Sequence, residues 1–310
     1  MPKTPNNVAA ILCSDLHLSL KPPLWRSAES DWFAAMDRPM TELRALKDKY
    51  DCPVVCAGDV FDRWNSSPEL INWALDSLPE MFAVPGQHDL PLHQYQDLER
   101  SAYATLVKAD KITTLPKGVG YKLCDSRIVL WGFPWGIDIP SDMSDQLDSD
   151  NVNIAVIHKY IWLLGHSYPN APAEGKVSAQ ASSLKGFDIA VFGDNHKGFI
   201  SEKAKRTIYN CGSFMRRKSD EIDYKPRVGL LTEDGDIIPY FLTSRKDDQY
   251  LTDLTTEKTS ESQDMEAFIE GLGTLDSISF DFREIVQRYV NEKKPSKFVV
   301  QALLEAMENE

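Results

Sequence analysis

The chain has 310 residues, 42% of them hydrophobic and 26% charged, a composition that suits a globular protein with one large α/β domain and a smaller appendage. A formal net charge of −13 and a pI near 5.0 exclude bulk electrostatic attraction to nucleic acid or anionic membrane, so a polyanionic substrate needs a local basic patch, metal ions or a partner. The longest apolar run, Ile154 to Leu164, is broken by His158 and Lys159, no signal pattern opens the chain, and the five cysteines (Cys13, Cys52, Cys56, Cys124, Cys211) include no C-x-x-C pair; a cytoplasmic protein with reduced core thiols and no membrane span is expected.

Val8 to Cys13 is a continuous apolar run of the kind buried on both faces of a sheet, and it ends in Ser14-Asp15-Leu16-His17. Trp32 to Lys49 has helical spacing, with Pro39 expected to open a second helix as its first residue. Pro53 to Ala57 is the next buried strand and ends in Gly58-Asp59-Val60-Phe61-Asp62. Ser67-Pro68 then supplies a capping serine and a first-turn proline for another helix. Met81 to Val84 is a third strand, followed by Pro85-Gly86-Gln87-His88-Asp89. This β-α-β-α-β order predicts parallel strands.

Shorter strands are predicted at Ile112–Leu115, Gly120–Cys124 and Arg127–Trp131. Asn153–Ile157 ends in His158, and Phe187–Phe192 ends in Gly193-Asp194-Asn195-His196. Gly165 to Ser183 reads as a loop leading into a short helix, and further strands fall at Thr207–Asn210, Val228–Leu231 and Ile237–Leu242. These features place one domain at 1–245, a polar linker at 246–263 and a mainly helical region at 264–310, a cap or partner-docking element.

Five strands thus end in Asp or His, and four of the six histidines (His17, His88, His158, His196) sit at those ends. Sites of open α/β sheets lie at the carboxyl ends of strands. Asp, His and amide oxygen together suit first-row metals such as manganese or iron, with magnesium a poorer match to imidazole. A carboxylate shared by two ions about 3.5 to 4 Å apart gives a clamp for in-line displacement at phosphorus by a bridging hydroxide.

Asp15-Leu16-His17, Gly58-Asp59-Val60-Phe61-Asp62, Gly86-Gln87-His88-Asp89, His158 and Gly193-Asp194-Asn195-His196, in this order, resemble the signature of calcineurin-like metallophosphoesterases over roughly residues 8 to 242. Ser-Asp-Leu-His-Leu, Ala-Gly-Asp-Val-Phe-Asp, Val-Pro-Gly-Gln-His-Asp and Asn210-Cys211-Gly212-Ser213 are most similar to SbcD-type nuclease subunits. The resemblance implies a four-layer α/β/β/α sandwich and two divalent ions, Mn2+ foremost, with Mg2+ or Fe as alternatives. It implies DNA as substrate, with room for an SbcC-type ATPase subunit and for a homodimer. Carried over by position, Asp15, His17, Asp59 and His196 would hold one ion, and Asp59, Gln87, His158 and Asp194 the second. His88 would face the phosphate, oriented by Asp62 or Asp89.

Two positions depart from the pattern: Gln87 replaces the usual Asn, and Asp194 the usual first His of Gly-His-x-His. Asp194 as a ligand would add a third carboxylate and favour harder ions. Lys197 to Arg227 holds nine Lys or Arg against four Asp or Glu, and Arg216-Arg217-Lys218 there is a candidate phosphate contact or a solvated edge. Trp131-Gly132-Phe133-Pro134-Trp135 suits either a base-stacking platform or a strand-end turn in the core. Other activities open to this pattern are a small-substrate phosphoesterase, acting on cyclic nucleotides or phosphomonoesters, and a non-catalytic scaffold.

Overall fold

A computed structural model describes residues 5, 7–123, 126–163, 173–203, 205–218 and 221–251. The helices expected within 264–310, and most of the expected linker, lie outside the described residues. Alternating apolar strands build two six-stranded sheets whose inner faces share one core. The first sheet has the order β12-β11-β1-β2-β3-β4, made of β1 (Val8–Cys13), β2 (Val54–Cys56), β3 (Met81–Ala83), β4 (Ile112–Thr114), β11 (Arg227–Thr232) and β12 (Ile237–Phe241). The second has the order β5-β6-β7-β8-β10-β9, made of β5 (Gly120–Lys122), β6 (Ile128–Phe133), β7 (Val152–His158), β8 (Ile189–Gly193), β9 (Phe199–Lys203) and β10 (Arg206–Asn210).

Strands β1 to β4 are mutually parallel, as are β6, β7, β8 and β10, while antiparallel strands complete the sheets. The two-residue side-chain period decides which layer each residue joins. Leu12, Val55, Ala57, Ile154, Val156, Ile189 and Val191 meet between the sheets. Ile11, Val54 and Cys56 face the other way, onto α1 (Trp32–Tyr50), α2 (Pro68–Ser77) and α3 (Ala102–Lys108). Ala155, Ile157, Ala190 and Phe192 cover α4 (Val177–Ser183) on the opposite side. The result is a helix–sheet–sheet–helix sandwich, and each fully buried Val or Leu contributes roughly 1.5 to 3 kcal/mol to it.

Three local expectations change. Pro39 does not start a helix but lies inside α1, where it is buried with Met36, Met40 and Leu43. The Asp31 cap, accepting from the Ala34 amide at 3.0 Å, sets the helix start seven residues earlier, and packing outweighs the one backbone bond that proline removes. Strand β9, Phe-Ile-Ser-Glu-Lys, lacks a clean apolar pattern because it is an edge strand; it follows from pairing with β10. Finally, the first residues of the expected linker at 246–263 continue a 3-10 helix, Thr243–Tyr250. It is anchored by Asp247, which bonds Arg26 at 3.1 Å and Arg38 at 3.2 Å, while Glu29 bonds the same two guanidinium groups. The second Arg26 nitrogen donates to the Arg216 carbonyl at 3.1 Å.

Candidate metal centre

Parallel pairing of β1 with β2 continues beyond both strands and carries the first two motifs side by side. Ala57 donates to the Cys13 carbonyl at 2.8 Å, Asp15 to Gly58 at 2.9 Å and His17 to Asp59 at 3.0 Å. Asp15 (φ 52°), His17 (φ 44°), Asp59 (φ 54°) and Asp194 (φ 78°) all take left-handed backbone conformations, each costing roughly 1 to 3 kcal/mol, strain that gathers at functional sites. Glycine is needed at two neighbouring points. A Cβ on Gly58 (φ 99°) would lie 2.2 Å from His158 Nδ1, and one on Gly86 would lie 2.1 Å from Asp59 Oδ1. In the second sheet, β7 and β8 place His158 opposite Gly193, next to Asp194.

Ligand atoms of Asp15, His17 and His196 lie within 4.8 Å of one another, and so do those of Asp15, Asp59 and His158. The hydrogen bonds fix how each imidazole presents itself. His158 Nδ1 donates to the Ala57 carbonyl at 2.6 Å, leaving Nε2 3.3 Å from Asp59 Oδ2. His196 Nδ1 donates to Glu221 Oε1 at 2.6 Å, leaving Nε2 3.1 Å from His17 Nε2. Three buried atoms in this space, Asp59 Oδ2, His158 Nε2 and Gln87 Oε1, have no hydrogen-bond partner. Orphaned lone pairs on oxygen and imidazole nitrogen, converging in a dry site, fit divalent cations.

The protonation pattern agrees with that fit. Burial pushes His17 down to about 3, so its ring is neutral. His196 is raised despite burial because Glu221 and Asp15 favour its cation, and His158 is raised well above its ordinary value despite burial because Asp59 lies beside it. Burial lifts Asp15 to about 6, whereas Asp59, also opposed by burial, is held below the usual carboxylate range chiefly by His158.

Gln87 and Asp194, the two departures from the family pattern, contact each other: Gln87 Nε2 donates to Asp194 Oδ1 at 2.8 Å. The Asp194 amide donates to both Asp15 oxygens, at 3.1 and 3.3 Å. His88 is oriented, but not by a side chain; its Nδ1 donates to the main-chain carbonyl of Asp62 at 2.9 Å. The Asp62 carboxylate instead accepts from Arg217 at 2.8 Å and lies 3.4 Å from His17 Nδ1. Asp89 is turned away from His88, accepting amide hydrogens from Val60, Phe61 and Gly86 at 3.1, 2.9 and 3.0 Å. It thereby ties the Asp59 loop to the Gly86 loop.

Of the basic triplet, only Lys218 is exposed. Arg216 is buried against the Ile222 carbonyl, and Arg217 is committed to Asp62 and the His17 carbonyl. Trp131 and Phe133 pack in the second sheet's outer core, whereas half-buried Trp135 stands 6.3 Å from the His158 ring. One residue escaped the sequence reading. Glu221 is fully buried, holding His196 with one oxygen and the Arg217 amide, at 2.6 Å, with the other. In sequence it is one more acid in a charged stretch, with no spacing that ties it to His196. His93 is exposed, with its ring centroid 6.5 Å from that of His88.

Residues 10–198, more than half of the chain, match the calcineurin-like phosphoesterase family, and the chain belongs to it. It is thus a metallophosphoesterase, a family that uses divalent metals, and it carries candidate ligand clusters for them. Among solved structures it is similar to an archaeal phosphodiesterase at 12% identity, over 75% of this chain and 99% of that one, with a TM-score of 0.38. It is also similar to a Staphylococcus aureus protein described as a 5′-nucleotidase, in complex with alpha-ketoglutarate. That match has 13% identity over 86% of this chain and 58% of the other, with a TM-score of 0.46. No curated protein matches by sequence.

Proposed function

We propose that the protein is a phosphodiesterase that cleaves DNA with two divalent ions, manganese foremost, in the manner of an SbcD-type nuclease subunit. The observation that supports this best is His88: its Nδ1 is fixed on the Asp62 carbonyl, so Nε2 is free to act, and its neighbours are the buried unpartnered donors of the metal centre. A scaffold has no use for that arrangement. Asp15, His17 and His196 would hold one ion, Asp59 would contact both, and His158 and the Gln87 oxygen would complete the second. Asp194 serves that second site by fixing the Gln87 amide, and its other oxygen is available as a ligand. Bound ions would supply Lewis acidity toward the phosphate and acidify the attacking water. His88 then donates a hydrogen bond or proton to the phosphate or leaving oxygen. Arg217 neutralises Asp62, keeping a second negative charge from facing the substrate.

The deciding experiment assays bis(p-nitrophenyl) phosphate, p-nitrophenyl phosphate, and single- and double-stranded DNA with manganese, magnesium or zinc. Diester and DNA turnover with manganese is expected. Turnover of the monoester alone would favour a small-substrate phosphatase, and no turnover with any metal would favour a scaffold. For the acidic chain to engage DNA stably, an ATPase subunit of the SbcC type is the partner this reading calls for; co-purification with a candidate ATPase tests it.

A further inference from the structure

We propose that a cleft of about 550 Å³ beside the metal centre binds a second phosphate of an extended single-stranded nucleic acid, together with its nucleoside, and so selects polymeric over small substrates. The inference rests on the nucleic-acid reading above. The cleft starts at Asp62 and Arg217, the two residues that touch His17 and, through the Asp62 carbonyl, His88. An arm leaving the reacting phosphate on that side enters it directly. Its volume falls within the range of ligand sites, roughly 300 to 1,000 Å³.

The lining divides by chemistry. The aliphatic part of the lining is Leu18, Leu20, Pro22, Pro23 and Leu70, of which Leu20 is exposed. The polar part includes Lys21 and Arg63, both exposed and without an ion pair among the described residues. The one carboxylate in the lining, Asp62, is neutralised by Arg217 at 2.8 Å. Ser67 also lines the cleft and caps α2, accepting from the Leu70 amide at 3.3 Å, so its hydroxyl proton is free to donate. In a protein with a net charge of −13, unpaired cations concentrated in a concave, half-apolar cleft are a recognition feature for a phosphate attached to a sugar and base. This is the local basic patch that the overall charge demands, and it is built from residues outside the basic stretch.

The test compares the wild type with the double variant Lys21→Ala/Arg63→Ala, measuring kcat/KM for a short single-stranded oligonucleotide and for bis(p-nitrophenyl) phosphate. The ratio of the two should fall by about tenfold, carried by KM for the oligonucleotide, and the salt dependence of its KM should flatten. A charge reversal, Lys21→Glu/Arg63→Glu, should deepen the loss. An unchanged ratio in both variants, with the wild type cleaving oligonucleotide, overturns the cleft assignment and leaves the nuclease reading standing. If the wild type hydrolyses only the small diester, the nuclease reading fails and takes the cleft with it.

Discussion

The two halves of the metal centre are built on different chemistry. Around Asp15, two imidazole nitrogens, from His17 and His196, face each other at 3.1 Å, and the His196 ring is braced by the Glu221 carboxylate. Around Asp59, one imidazole, His158, is braced by a main-chain carbonyl, and the remaining candidate donors are oxygens of Gln87 and Asp194, whose side chains also bond each other. A carboxylate behind a histidine raises its basicity as a ligand; a neutral carbonyl mainly orients it. The nitrogen-rich half is therefore suited to first-row transition ions, and the oxygen-rich half to harder, more exchangeable ones. The two ions should bind with distinct affinities and respond to different substitutions.

The largest effect tests what the halves share. Asp59→Asn should remove metal from both and lower activity by a factor on the order of 10³ or more, read by metal counting and kcat/KM; a variant retaining both ions would contradict a bridging role. His88→Ala should lower kcat by roughly 10² to 10⁴ while leaving metal content intact in both halves. A difference between the halves appears with Glu221→Gln, which should weaken only the first ion, by roughly 10- to 100-fold in titration calorimetry. Equal weakening of both ions would show that the halves are one cooperative site.

The smallest effect concerns protons. Neighbouring carboxylates raise the pKa of His158 and His196, and burial lifts Asp15 to about 6, so an ion bound by these groups would compete with protons. Metal affinity should then rise with pH and fall toward acid, by up to about tenfold per unit for each proton displaced. Calorimetry in two buffers of unlike ionisation enthalpy counts the released protons, and none released would rule out the imidazolium assignment.

Most of the strands were legible because fully buried runs such as Val8–Cys13 and Ile189–Gly193 leave an unmistakable apolar signature, and their terminal Asp and His residues are short-range features of the same motifs. What could not be read depends on long-range approach. Glu221 reaches His196 only through the turn after Arg217, and the Asp62 carbonyl reaches His88 only because Asp89 ties two loops together. Lys21 lies beyond the first motif and Arg63 beyond the second, and both line one cleft only after β1 and β2 pair. Local pattern fixes which residues end a strand; it is silent on which loops then lean together.

The quartet of Arg26, Glu29, Arg38 and Asp247 carries a consequence for the order in which the chain matures. Its charges sum to zero only when Asp247 is present, and Arg26 is wholly buried, 221 positions upstream of that partner. During synthesis the amino-terminal loop therefore carries an unbalanced guanidinium until almost the whole domain has been made, and the Arg216–Arg217 turn that steadies His17 lacks one of its supports. A protein cut after Leu242 should be less stable than one ending at Thr252 by about 3 to 5 kcal/mol in denaturant unfolding, the cost of stranding a buried charge. Equal stability of the two would show that Glu29 alone suffices. A less stable protein after the cut at Leu242 would make activity the last property the nascent chain acquires, since Arg26 supports the Arg216 carbonyl next to Arg217.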